Sequence, residues 1–356
     1  MEQGGAHDHG SLFPLPESPV KPLVSILIPA YNAGAWIKET IQSAQRQDWP
    51  RTEIIVVDDG SKDNTLAVAQ QFAGAGVTVI TQTNAGAAVA RNKAYSLAKG
   101  DYIQWLDADD LLSEDKISRQ MAAVEKKPGP RKLFSSGWGH FIYRPQKAIF
   151  NPTPLWESLP PLEWMLRKWE GNFHMQTATW LVSRELTEAA GPWDARLLGD
   201  DDGEYFSRVI KASEGVEFVP GAKVFYRVSG QARLSYVGSS NKKMDAQFMG
   251  MKIQIAYLRS MSDDARVRAA CVTYLKTWLP HFYPNRMDIV EQARQLAAEL
   301  GGQLPEPTLS WKYRWIQKTL GWETAKRVQI HYNERKTAVL RMWDKAMYRL
   351  ERRANV

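Results

Sequence analysis

The chain has 356 residues, of which 44% are hydrophobic and 24% charged, the composition of a globular protein with room for one large or two modest domains. That balance argues against wholesale disorder, collagen-like repeats and a coiled-coil rod, and no stretch approaches the roughly 18–20 uninterrupted apolar residues that cross a bilayer. The net charge of +7 gathers at one end, because Leu309–Val356 holds 12 Lys and Arg against 4 Asp and Glu and the remainder is near neutral.

Residues 1–22 are rich in Gly, Pro and His without periodicity and read as a solvated leader. His7-Asp8-His9 within it reads as tail and not as a metal site. No basic start followed by an apolar core is present, so no secretory signal is expected and a cytoplasmic location is the default. From Leu23 the pattern changes. The apolar run Leu23–Ile28, closed by Pro29, predicts a buried strand. Trp36, Ile37, Ile41 and Ala44 share one face of a following helix. Glu53–Val57 predicts a second strand, a helix covers about 63–73, and Val77–Ile80 is a third strand. A helix starting near Ala87 leads to the fourth strand, Tyr102–Leu106. Strands alternating with single helices indicate a mostly parallel α/β sheet with helices on both faces.

Beyond about 130 the pattern loosens into an α+β extension of the same sheet. Its pieces are strand-like stretches at Lys132–Ser136 and His140–Arg144, a tryptophan-rich helix at Leu162–Trp169, a further helix and the segment Val216–Tyr226. After 241 the chain reads as helical, with a Pro-rich connection over 280–310. The expected organisation is therefore a leader (1–22), an α/β domain (23–240) and a helical C-terminal region (241–356).

Ligands of open parallel sheets bind beyond the carboxyl ends of the strands. Here the first strand ends in Pro29-Ala30-Tyr31-Asn32, the second in Asp58-Asp59-Gly60-Ser61 and the fourth in Asp107-Ala108-Asp109-Asp110. One acidic strand end is a common turn, but two on one edge repel unless a cation or donor offsets them. Asp107 and Asp109, two apart, point the same way in extended chain and suit a hard divalent cation such as Mg²⁺ or Mn²⁺ that also takes substrate phosphates. Asp59 can accept from a base or ribose, and Tyr31 offers an aromatic face. No Gly-x-Gly-x-x-Gly and no Walker-type loop appears, which argues against a dinucleotide dehydrogenase or a P-loop ATPase. The single cysteine, Cys271, excludes a disulfide framework and a cysteine-rich zinc site.

In combination, Val24–Asn32, Glu53–Ser61, Asn84-Ala85-Gly86 with Ala90-Arg91-Asn92, and Asp107–Asp110 resemble family 2 glycosyltransferases of the GT-A fold, over about Leu23 to Ser235. The resemblance implies a Rossmann-like GT-A domain and inverting transfer of a sugar from a nucleotide-diphosphate donor, UDP-sugar first, to a saccharide, lipid-linked or protein-linked acceptor in polysaccharide or glycoconjugate synthesis. It implies that Pro29, Tyr31 and Asp59 hold the nucleoside, that Arg91 lies near the nucleotide or its diphosphate, that Asp107 lies near ribose or metal, and that Asp109 ligates Mn²⁺ or Mg²⁺. Inversion needs a base for the acceptor hydroxyl. The resemblance implies an acidic residue and Asp about six residues before an Arg on the next helix, which from Arg208 places the base at Asp202, with Asp201 the alternative.

Trp180-Leu181-Val182 and Gly191-Pro192-Trp193-Asp194 resemble the strand–helix–loop before that base, and Asn172, His174 and Gln176 fall where acceptor contacts are expected. Tyr226-Arg227 matches the family's Tyr-Arg segment, but Ser229 stands where many members have His. Ser235 lies beyond it. The competing readings are a catalytically silent nucleotide-sugar-binding or scaffold protein and a sugar nucleotidyltransferase, although Pro29–Gly34 lacks the arginine expected of the latter. Across Arg335–Arg353, Val339, Met342, Trp343, Ala346, Met347 and Leu350 recur at helical spacing opposite cations. Such a helix either lies on an anionic membrane surface, peripheral on its inner face, or packs its apolar side on the catalytic domain. Without a nucleic-acid-binding motif, no nucleic-acid partner is expected.

Overall fold

The computed structural model describes residues 20–74, 76–228 and 240–354. His7-Asp8-His9, Ser229 and Ser235 lie outside the described residues. Nine strands form one sheet: β1 (Val24–Ala30), β2 (Thr52–Asp58), β3 (Val77–Thr81), β4 (Tyr102–Trp105), β5 (Leu111–Leu112), β6 (Lys132–Phe141), β7 (Ile149–Phe150), β8 (Leu181–Ser183) and β9 (Gly215–Arg227). The order is β3-β2-β1-β4-β8-β6-β9-β5, with β7 alongside β6. The ladders β3-β2, β2-β1, β1-β4 and β6-β9 are parallel. The antiparallel contacts through β5, β7 and β8 span two residues each.

Alternation along β1 and β2 assigns the two faces. Val24, Ile26 and Ile28, with Ile54 and Val56, meet α1 (Ile37–Gln45), α2 (Thr65–Gln70) and α4 (Lys116–Lys126). Leu27, Ile55 and Val57 meet α3 (Ala87–Leu97) on the other side. Pro29 does not end β1, which runs on to Ala30. Leu27 still accepts from the Leu106 amide on the β4 side, and β1–β4 pairing stops there. Pro29 faces that same side, so its missing N–H breaks no ladder bond.

The second core face continues into α5 (Pro161–Glu170), α6 (Arg184–Ala190), α7 (Asp201–Ala212), α8 (Asn241–Met261), α9 (Ala265–Phe282) and α10 (Met287–Glu299). One hydrophobic cluster thus runs from Leu27 and Ile55 to Leu275 and Val290, across the expected boundary at 240. The stretch 280–310, read as a connection, contains α10: its prolines stand outside Met287–Glu299, and Pro280 sits in the last turns of α9. The two strand pieces expected near 132–144 are one strand. Gly137 and Gly139 within it let Trp156 and Phe150 pack against the backbone, where an added Cβ would come within 3.0 Å and 2.7 Å of those rings. The chain ends in α11 (Arg314–Ala354), interrupted at Gly321 (φ 81°). Among the described residues no helix is long and apolar enough to cross a membrane.

Candidate active site

Parallel registry puts the ends of β2, β1 and β4 side by side: Ala30 pairs with Asp58, and Leu27 with Trp105. Tyr31 follows β1 directly and is 44% exposed. Asn32 (φ 49°) turns the chain, its amide donating to Ser61 Oγ at 2.9 Å while its Oδ1 accepts from the Lys62 amide at 2.8 Å. The loops after β1 and β2 are therefore tied to each other.

Asp59 is buried and its two carboxylate oxygens accept four hydrogen bonds. Gln82 Nε2 (2.8 Å) and the Ala85 amide (2.9 Å) donate to Oδ1, and Asn84 Nδ2 (3.0 Å) and the Gly86 amide (2.9 Å) to Oδ2. Charge-assisted bonds of this kind are the strong ones. Gly86, at φ 97°, is the residue before α3. Asp59 consequently fixes where α3 begins, and with it the position of Arg91 one turn on.

Arg91 is 6% exposed. Its NH2 donates to Asp107 Oδ1 at 2.9 Å and its NH1 to Asp201 Oδ2 at 2.6 Å, while its guanidinium lies 4.3 Å from the Trp193 ring centroid. Burial opposes its charge, but Asp201, Asp107 and Asp202 outweigh that and hold its pKa above the ordinary value. Burial pushes the Asp201 carboxyl up to about 6; Arg91 pulls the other way, and Asp202, Asp107 and Asp200 add to the rise.

Asp201 opens α7, and the residue before it, Asp200, adopts the left-handed conformation (φ 54°). Asp200 Oδ2 accepts from Gln254 (2.9 Å), Gln247 (3.2 Å) and Tyr274 (3.3 Å), which anchors the start of α7 to α8 and α9. Below it, Trp193 stacks on Tyr205 at 4.0 Å, and both meet Trp105 edge-on. Asp202 is held more lightly, accepting from Thr177 Oγ1 at 3.4 Å and the Gly203 amide at 2.9 Å.

The turn after β4 is clamped from three sides. Thr40 Oγ1 donates to the Ala108 carbonyl at 2.9 Å, and Arg227 Nε to the Asp109 carbonyl at 2.8 Å. Asp110 is fully buried and accepts from the Arg227 amide at 2.8 Å and from Gln176 Nε2. Burial, then the charges of Asp109 and Asp107, raises the Asp110 pKa well above the usual carboxylate range. Arg227 also donates to Glu39 at 2.7 Å and lies over Trp36 at 4.4 Å.

The structure thus joins Arg91, Asp107 and Asp201 directly, sets Asp202 next to Asp201, and places Pro29, Tyr31 and Asp59 on the neighbouring strand ends. Of the residues expected at the acceptor, Gln176 is 2% exposed and spent on Asp110 and the Ala178 amide, a structural role. Asn172 and His174 are exposed, with His174 edge-on to Trp138 at 5.8 Å. Sequence reading did not find Glu39 or the pairing of Trp193 with Arg91, since both depend on contacts between distant segments.

The carboxylates here outnumber the two buried arginines, Arg91 and Arg227, an excess of negative charge of the kind that a divalent cation offsets. Among the described residues, no group of three or more His, Cys, Asp and Glu has metal-holding geometry, and Asp110 is turned inward. Asp107 and Asp109 are a hard-oxygen pair of the kind that suits an ion completing its shell with water and substrate phosphate, not an all-protein cage.

Residues 25–189 match the Glycosyl transferase family 2 model. TuaG of Bacillus subtilis, a glycosyltransferase assigned to teichuronic acid biosynthesis, is 43% identical over 104 residues, 28% of this chain and 41% of that one. The hyaluronan synthase of Pasteurella multocida is 42% identical over 121 residues, 33% of this chain and 12% of that one. The uncharacterized glycosyltransferase EpsJ of B. subtilis is 29% identical over 214 residues, 58% of this chain and 61% of that one. S. aureus TarS 1–349, solved in complex with UDP, superposes with a TM-score of 0.56 at 16% identity over 84% of this chain and 92% of TarS 1–349, a likeness of fold. The matched motifs are those that line the strand ends described above, and over residues 25–189 the chain carries a domain of glycosyl transferase family 2.

Proposed function

We propose that this protein transfers a sugar from a nucleoside-diphosphate donor to a hydroxyl of a saccharide, lipid-linked or protein-linked acceptor, with inversion, in polysaccharide or glycoconjugate synthesis. The observation that carries this reading is the Arg91 node, which joins the β4 carboxylate Asp107 and the α7 carboxylate Asp201 on one guanidinium beside the strand ends. UDP-sugars are the first donors to test, because the neighbour TarS was solved with UDP and with UDP-GlcNAc.

In this reading Pro29 and Tyr31 flank the nucleoside, and Asp59 shapes its pocket by holding residues 82–86. Arg91 stays cationic at every working pH and sets the positions of Asp107 and Asp201 around the diphosphate. Mn²⁺ or Mg²⁺ held by Asp107 and Asp109 would supply Lewis-acid stabilisation of charge on the departing diphosphate. The acceptor oxygen bonds to the anomeric carbon as the bond from that carbon to the diphosphate oxygen breaks. The electron pair leaves with the nucleoside diphosphate, and the hydroxyl proton passes to Asp202. Asp202 is preferred over Asp201 because the Asp201 carboxylate is already committed to Arg91 at 2.6 Å, while Asp202 is held by one long bond from Thr177 and a neighbouring amide.

Calorimetric titration with UDP, GDP and dTDP, with and without Mn²⁺, tests the donor site. Metal-enhanced binding of one nucleotide is expected, and Asp109→Ala should abolish the enhancement. Asp202→Asn should keep nucleotide binding and lower the release of nucleoside diphosphate in the presence of acceptor by roughly 10²–10⁴-fold. Binding of none of the three nucleotides, or full transfer by Asp202→Asn, would overturn the assignment.

A further inference from the structure

The end of α11 returns to the body of the protein through polar contacts. Asp344 accepts from Arg144 Nε at 2.7 Å and from the Tyr143 amide at 2.9 Å, Glu351 accepts from Arg144 NH1 at 2.7 Å, and Tyr348 donates to Glu39 at 3.2 Å. Asp344, Tyr348 and Glu351 are four and three residues apart and share one face of the helix. Val328, Tyr332, Val339 and Leu350, spaced by four, seven and eleven, share the opposite face, and each is between 40% and 60% exposed; Trp343, 59% exposed, stands at the edge of that face with the Arg144 guanidinium 5.1 Å from its ring centroid. The first part of α11 packs Ile316 and Ala325 inward, but from Val328 on the helix turns its acidic side inward and its apolar side to water, the reverse of how an amphipathic helix docks on its own domain.

Charge singles out what would cover that face. Between Lys326 and Glu351 the helix has seven Lys and Arg against three acids, and two of those acids, Asp344 and Glu351, are committed to Arg144. What remains outward is an apolar stripe edged by Arg335, Lys336 and Arg349, all exposed. A second copy would bring like charges together. An anionic bilayer offers both a sink for aromatic and aliphatic side chains and a compensating charge. Trp311 and Trp315, 75% and 65% exposed just before the Gly321 break, add side chains suited to the headgroup layer. We propose that the outward face of α11 docks on an anionic lipid surface and holds the protein on the membrane plane. The idea stands independently of the glycosyl-transfer reading, since nucleotide binding can be measured in the same preparation without lipid.

The test is sedimentation of the full chain with vesicles of phosphatidylcholine alone or mixed with phosphatidylglycerol. Binding is expected only to the mixed vesicles and should weaken with added salt. The double variant Val339→Glu/Leu350→Glu should lose it while keeping wild-type nucleotide binding and helix content, as both side chains are exposed. Arg335→Gln and Lys336→Gln should each lower partitioning roughly fivefold. Absence of binding to mixed vesicles, equal binding to phosphatidylcholine alone, or unchanged binding by the double variant would overturn the proposal. So would a dimer in lipid-free sedimentation velocity that the double variant abolishes, which would assign the stripe to a second copy.

Discussion

Arg91 shows how one side chain organises chemistry by geometry. A planar guanidinium can serve two carboxylates from separate nitrogens while its face rests on an indole, and a lysine can do neither at once. Asp201 bears the cost of this arrangement. Its neighbours are Arg91, which favours the anion, and Asp202, Asp107 and Asp200, which together with burial disfavour it, so its pKa rises to about 6. A carboxyl raised in the folded state binds more protons there than when unfolded, and its contribution to stability falls as pH rises between its ordinary value and about 6. Wild type should therefore lose stability relative to Asp201→Asn as pH goes from 4 to 7. Urea unfolding of both proteins across that range measures it, and a flat difference would show that Arg91 fully offsets the burial.

At the scale of elements, the loop 82–86 and the first turn of α3 depend on a single carboxylate. Replacing Asp59 by Asn turns one acceptor into a donor that faces half-buried N–H groups. One or two donors lose their partner, at a cost of about 1–3 kcal/mol. Denaturant unfolding should register that loss, and nucleotide binding should weaken with it even if the base never touches residue 59.

The strands and helices of the first hundred residues were legible from periodicity because β1 and β2 are buried on both faces as continuous apolar runs and the helices between strands carry an apolar stripe. The acidic strand ends were legible too. What could not be read was tertiary. The partners of Asp59 lie more than twenty residues downstream, Trp193 reaches Arg91 across a hundred residues, and Gln176 is taken out of the acceptor region by Asp110. Nor does periodicity report which side of an amphipathic helix faces its own domain. In α11 the answer was decided by Arg144, a residue some two hundred positions earlier.

Across the whole molecule, α11 and the turn after β4 are linked by a short relay. Tyr348 meets Glu39, Glu39 meets Arg227, and Arg227 holds the Asp109 carbonyl. Removing the two acids that seat the helix, in Asp344→Ala/Glu351→Ala, should raise amide exchange over residues 340–351 and leave β1, β2 and β4 protected as before. Exchange spreading into Asp107–Asp110 would show that the relay stiffens the site from outside. No change in α11 would mean that other contacts suffice to seat it.

Arg91 bridges Asp107 and Asp201, and Asp201 lies beyond residue 189, where the family match stops. A fragment trimmed to the recognisable motif region would keep every strand-end signature and the Arg91–Asp107 pair, yet strip the guanidinium of its second carboxylate and of the indole on its face. Anyone grafting or minimising this domain should carry the chain through the end of β9. There Arg227 secures the Asp109 turn, so that the turn and the Arg91 contacts travel together.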